Sequence, residues 1–116
     1  MRESYEITES AARATPAGRP VYVSGHAYRG EPILITEFGG IAFSGDEAGW
    51  GYSTVSDAEE FLARYGSLIE ALSQSETVQG FCYTQLTDVE QEVNGLLTYD
   101  RRPKASLDSI RMLTTQ

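Results

Sequence analysis

At 116 residues the chain has the size of one domain, 1–116, and is long enough to enclose a core of its own. With 41% hydrophobic and 22% charged residues it falls outside the disordered class, and no stretch approaches the ~20 apolar residues that cross a bilayer. A net charge of -8 and a pI near 4.5 repel phosphate backbones and anionic membranes, which excludes nucleic acid and membrane surfaces as expected partners and favours an uncharged or cationic one.

Residues 1–14 have helix-compatible composition without a cap, and lack the hydrophobic signal region that would direct export, so a cytoplasmic location is expected. Thr15 to Pro20 breaks any helix with two prolines and a glycine. Val21-Tyr22-Val23 is a short β-prone run, and a polar, aromatic loop carrying His26 follows it. Pro32-Ile33-Leu34-Ile35-Thr36-Glu37-Phe38-Gly39-Gly40 then predicts a strand near 33–36, buried on both faces as in parallel sheets. A carboxylate directly after such a strand costs several kcal/mol unless the strand opens there into a polar pocket. Glu37 is therefore the candidate chemical centre.

The glycine-rich span 39–53 reads as a long loop. Its Trp50 and Tyr52 suit a rim that stacks on a ligand, and equally suit the covering of a core edge. A helix near 57–73 is expected next, with Ser56 as N-cap and Glu59 completing a capping box. Phe61, Leu62, Tyr65, Leu68, Ile69 and Leu72 give it one apolar stripe, and Gly66 marks a point of close packing. Val78 to Thr84 contains a second strand near 79–84, in which Cys82, the only cysteine, reads as a buried structural thiol.

Strand, helix, strand favours a parallel pair, which brings Glu37 and the segment Gln85 to Glu92 to one sheet edge. Asn94-Gly95 reads as a turn, 100–104 as a charged break, and a final helix is expected near 106–113.

Ligand sites of parallel α/β folds lie at the carboxyl ends of strands. Paired carboxylates at such an edge can perform glycoside hydrolysis, with Glu37 as one half and Asp88, Glu90 or Glu92 as geometric candidates for the other. The plainer reading of those acids is a solvated or hydrogen-bonded loop. His26 with Asp46 and Glu47 lacks metal-ligand spacing, and neither a phosphate loop nor a nucleophile elbow occurs, so no metal or cofactor is expected.

The same residues resemble the glycoside hydrolases of family 2, which include β-galactosidases and β-glucuronidases. PILITEFGG (32–40) looks like the seventh strand of their catalytic (β/α)₈ barrel with its nucleophilic glutamate, GFCYTQLTD (80–88) like the eighth, and NGLLTYDRRPK (94–104) like the segment before the last barrel helix. The resemblance implies an α/β fold consisting of the closing units of a partial TIM barrel. It also implies that Glu37 is the nucleophile of a retaining β-glycosidase, and that a β-glycoside is the partner, held by Trp50, Tyr52, Tyr83, Gln85 and Asp88. The family's acid and base residue, a glutamate after an asparagine, has no counterpart, because no Asn-Glu pair occurs in the sequence. Thr84 stands where many members have tryptophan. Glu92-Val93-Asn94 stands where glucuronidases have asparagine, any residue, lysine, so a neutral hexoside is expected. An alternative reading is a non-catalytic module that completes a barrel with another chain or itself, or that only binds sugar.

Overall fold

The computed structural model describes residues 18–43 and 51–115. They form a mixed α/β unit of strands β1 (Ile33–Gly39), β2 (Ile41–Phe43) and β3 (Ser53–Val55), helix α1 (Ala58–Ser73), strand β4 (Val78–Thr84) and helix α2 (Leu107–Thr114). β1 pairs with β4 in parallel, as a strand, helix, strand order favours. The expected helix over residues 1–14, and Asp46, Glu47 and Trp50, lie outside the described residues.

The span expected to be a loop contains β2 and β3, which pair in parallel from Ile41–Ser53 to Phe43–Val55. Each strand has three residues, too few for a period to show among the surrounding glycines. Val21 and Val23 are 52% and 71% exposed and form no strand, since nothing pairs with them among the described residues.

Strict alternation along β1 would put Glu37 on the same face as Ile33 and Ile35. The observed register prevents this. Ile35 pairs with Phe81 but Phe38 pairs with Tyr83, so β1 carries one extra residue at Thr36-Glu37, a bulge in the ladder. Thr36 and Glu37 are consecutively exposed and Phe38 is buried. The bulge turns the carboxylate out and the phenylalanine in.

The burial of β1 is one-sided. Ile35, Phe38, Val78, Phe81 and Tyr83 belong to the core, whereas Leu34 is 57% exposed and Cys82 is exposed. Burial on both faces, and with it the buried thiol, is thus corrected: the sheet has two strands and the helical side covers only one of its faces.

Helix α1 buries Phe61, Tyr65, Ile69 and Leu72, at the spacing of three and four that defines a single helical stripe. Its N-cap is Asp57 rather than Ser56. Asp57 accepts from the Glu60 backbone N–H at 2.8 Å, and the Glu60 carboxylate accepts from the Ser56 N–H at 2.7 Å and hydroxyl at 2.9 Å. Those bonds hold the Glu60 carboxyl below its ordinary range. The expected capping box of Ser56 and Glu59 is thus replaced: Asp57 is the cap, and the Glu60 carboxylate reaches Ser56, the residue before it, because aspartate and serine are comparable caps and sit side by side. Gly66 does mark close packing, since a methyl group there would lie 3.1 Å from Leu113 of α2.

Six rings run through the core in sequence: Phe81, Phe38, Tyr83, Tyr65, Phe61 and Phe43, with successive centroids 5.1 to 5.9 Å apart. Each pair contributes about 0.5–1.5 kcal/mol beyond area burial, and the series joins sheet, helix and β2. The Tyr65 hydroxyl meets Thr114 Oγ1 at 2.9 Å, and Thr114 donates to the Ile110 carbonyl at 2.7 Å, which leaves the tyrosine as donor.

Burial pushes the Tyr83 phenol up to about 12, although the Ile41 N–H donated to it works in the opposite direction. The unfolded chain loses this proton near pH 10 and the folded chain holds it until about 12. Stability from this group is therefore complete below pH 10 and declines between these values, by roughly 2 kcal/mol. Denaturant titrations across this window should show the decline, and Tyr83→Phe should flatten it.

Candidate functional site

The carboxyl ends of β1 and β4 meet at a turn that only glycine permits. Gly39 and Gly40 have φ of 95° and 58°. A side chain at Gly39 would run into the Tyr83 ring, and one at Gly40 into the Tyr52 ring. The Gly40 N–H donates to the Thr84 carbonyl at 2.8 Å, closing the β1–β4 edge, and the Gly40 carbonyl accepts from the Tyr52 N–H at 2.7 Å.

That arrangement brings Tyr52 onto Glu37. The phenol donates to Glu37 Oε1 at 2.8 Å, at a solvent-exposed position. The hydrogen bond to Glu37 raises the Tyr52 pKa above its ordinary value, and the Glu37 charge, partial desolvation and the Glu92 charge add to the shift. Glu92 thus belongs to the same electrostatic neighbourhood. Its carboxylate accepts from Gln85 Nε2 at 3.1 Å, and the same amide donates to Asn94 Oδ1 at 2.7 Å. Asn94 is fully buried, and its Nδ2 has no hydrogen-bond partner among the described residues.

Below this edge lies a second polar unit. Asp88 Oδ1 accepts from Lys104 Nζ at 2.6 Å and from the Gly95 N–H at 2.9 Å, while Lys104 also donates to the Val93 carbonyl at 2.8 Å. Both charged side chains are about nine-tenths buried, at 9% and 10% exposure. The Lys104 amine also stands 5.5 Å from the centroid of Phe43, the last ring of the aromatic series. The pair clamps the segment after β4 against the core.

The residues singled out from the sequence thus fall into distinct settings. Glu37 and Tyr52 are in contact, and Gln85 lies in the neighbouring amide network. Tyr83 is directed into the core between Phe38 and Tyr65, and Asp88 is engaged by Lys104. Asn94-Gly95, expected as a turn, is a buried extended stretch in which Gly95 packs directly on the backbone of Thr87 and Asp88. Lys104 was not singled out as a site residue. One signal for it was present: it is the only lysine in the chain and follows a proline break, a position where a solvated charge run is the usual reading.

Among the described residues, no group of three or more histidine, cysteine or acidic side chains is arranged to hold a metal ion. No described helix is long and apolar enough to cross a membrane. A cavity of about 320 Å³, lined by Tyr28, Glu31, Glu76, Thr77 and Gln79 among others, opens beside the amino ends of β1 and β4, away from Glu37. In comparisons with known proteins, no family model and no curated protein matches the chain.

Removing one member of the buried pair should be far more costly than removing both. Lys104→Met leaves a buried carboxylate and should lower stability by about 3–5 kcal/mol, while the double replacement Asp88→Leu with Lys104→Met should recover a large part of that loss. Chemical denaturation of the two single variants and the double variant measures the coupling.

Proposed function

We propose that this chain is the carboxyl-terminal portion of a retaining β-glycosidase, contributing the nucleophile Glu37 and the closing β/α units of a (β/α)₈ barrel. The observation that supports this best is the β1 bulge, which presents an exposed carboxylate at the carboxyl end of a strand in a parallel pair, beside a tyrosine, two amides and a second carboxylate. The resemblance of 32–40, 80–88 and 94–104 to the family 2 glycoside hydrolases points the same way. In this reading Glu37 attacks the anomeric carbon, the glycosidic bond breaks, and water later releases the sugar from the enzyme with retention of configuration.

The substrate class in this reading is a neutral β-hexoside such as a galactoside. Glu92 and Glu37 both bring negative charge to the Tyr52 hydroxyl, and a sugar carboxylate would meet repulsion there. The acid that protonates the leaving group lies outside these 116 residues. General acid assistance contributes roughly 10²- to 10⁴-fold, so ordinary alkyl β-galactosides should be turned over very slowly by the chain alone. A dinitrophenyl β-galactoside needs no proton to release its phenolate, and should give a burst with Glu37 glycosylated, detectable by mass. Glu37→Gln should abolish it. Rapid hydrolysis of alkyl galactosides by the chain alone would be incompatible with an acid located elsewhere.

A second reading is favoured by one observation, the uncovered face of the β1–β4 sheet with Leu34 57% exposed. Strand edges and apolar faces of this kind suit a module that completes a barrel with another chain or with itself. Sedimentation over a range of concentrations should reveal association. A monomer throughout would count against self-assembly.

A further inference from the structure

We propose that Tyr52 is a positioning residue for Glu37, holding Oε1 so that Oε2 is the oxygen left to meet a ligand. This rests on the reading of Glu37 as a nucleophile, and assigns Tyr52 a different task from stacking on a sugar.

The geometry is built from three points. The Tyr52 N–H is tied to the Gly40 carbonyl at 2.7 Å, its ring rests on Gly40 where no side chain fits, and its hydroxyl donates to Glu37 Oε1 at 2.8 Å. Gly40 is itself tied to Thr84 at 2.8 Å, so the phenol is referenced to both strands of the sheet. Among the described residues, Glu37 Oε2 takes part in no hydrogen bond of this kind. An exposed glutamate samples several rotamers, and a charge-assisted bond to one oxygen selects among them at the position from which attack must occur.

The bond also fits the chemistry of both half-reactions. In the first, Oε2 forms a bond to the anomeric carbon, and the bond to the leaving oxygen breaks with its electron pair going to the aryl oxide. The carboxylate becomes an ester, and Tyr52 then faces a weaker acceptor. When water attacks the same carbon and gives up its proton to bulk solvent, the ester bond breaks, its electron pair returns to Glu37, and the phenol again stabilises the carboxylate as it forms. No proton leaves Tyr52 in either step.

Two measurements on the full chain test this. The ring titration of Tyr52, followed by NMR of tyrosine labelled at Cζ and assigned with Tyr52→Phe, should lie above that of ordinary exposed tyrosines. It should fall to their range in Glu37→Gln, which identifies the Glu37 carboxylate as the group that holds the phenol. Labelling of Glu37 by a fluorinated dinitrophenyl galactoside should then slow by up to about 100-fold in Tyr52→Phe, which keeps the ring over Gly40 and removes only the hydroxyl. An unchanged titration in Glu37→Gln, or labelling of Tyr52→Phe as fast as that of the parent chain, would overturn the proposal. A titration shift that depends on Glu37, in a parent chain that is never labelled, would uphold the positioning and overturn the nucleophile.

Discussion

The bulge at Thr36-Glu37 is the constraint on which the rest of this structure depends. With two-residue alternation maintained, the carboxylate would enter a core of Phe38, Phe81, Tyr83 and Tyr65, or the whole strand would reverse its faces. One extra residue resolves the conflict locally. It lets Ile35 and Phe38 both face the helices while Glu37 is turned out at the strand end. The Gly39-Gly40 turn follows at once and directs the chain into β2, so the place where the strand breaks its pattern is also where Tyr52 and Tyr83 are received.

Two kinds of force hold the unit together, and they divide the work by position. Apolar burial and a series of edge-to-face and stacked rings organise the interior from β4 through α1 to β2. At the carboxyl edge the contacts are polar, and they come in a nearly dry layer, Asp88–Lys104 with Gly95, and a wetter one, half-buried Gln85, whose amide bonds Glu92 and also reaches down to the fully buried Asn94. The dry layer carries a large desolvation cost that its hydrogen bonds offset, which favours a single arrangement of the segment after β4. The wetter layer is adjacent to Glu37 and Tyr52, where a ligand could exchange hydrogen bonds with the protein.

Much of this architecture was legible in the sequence, where periodicity is long enough to read. The stripe from Phe61 to Leu72 defined α1, and the runs 33–36 and 78–84 defined the parallel pair. What escaped was set by tertiary context. Three-residue strands cannot display a period, so β2 and β3 read as loop. Leu34 and Cys82 read as buried because an apolar run implies two covered faces, and only one is covered. Glu37 was legible as a carboxylate in an uncomfortable position, but its contact with Tyr52 spans a glycine-rich segment whose path no local pattern dictates. The Asp88–Lys104 pair, 16 residues apart, escaped for the same reason.

The Lys104 amine is the only side-chain amine in the chain, and it is also 91% withdrawn from solvent. An amine is acylated only as the free base and only when a reagent can reach it, so modification of this side chain requires the segment ending at Lys104 to come away from Phe43 and the amine to leave Asp88 and the Val93 carbonyl. The protein thus carries an internal clock for the opening of its own site edge: the acylation rate at one nitrogen counts how often the clamp lets go, and anything that seats beside Glu37 and tightens that segment would slow it.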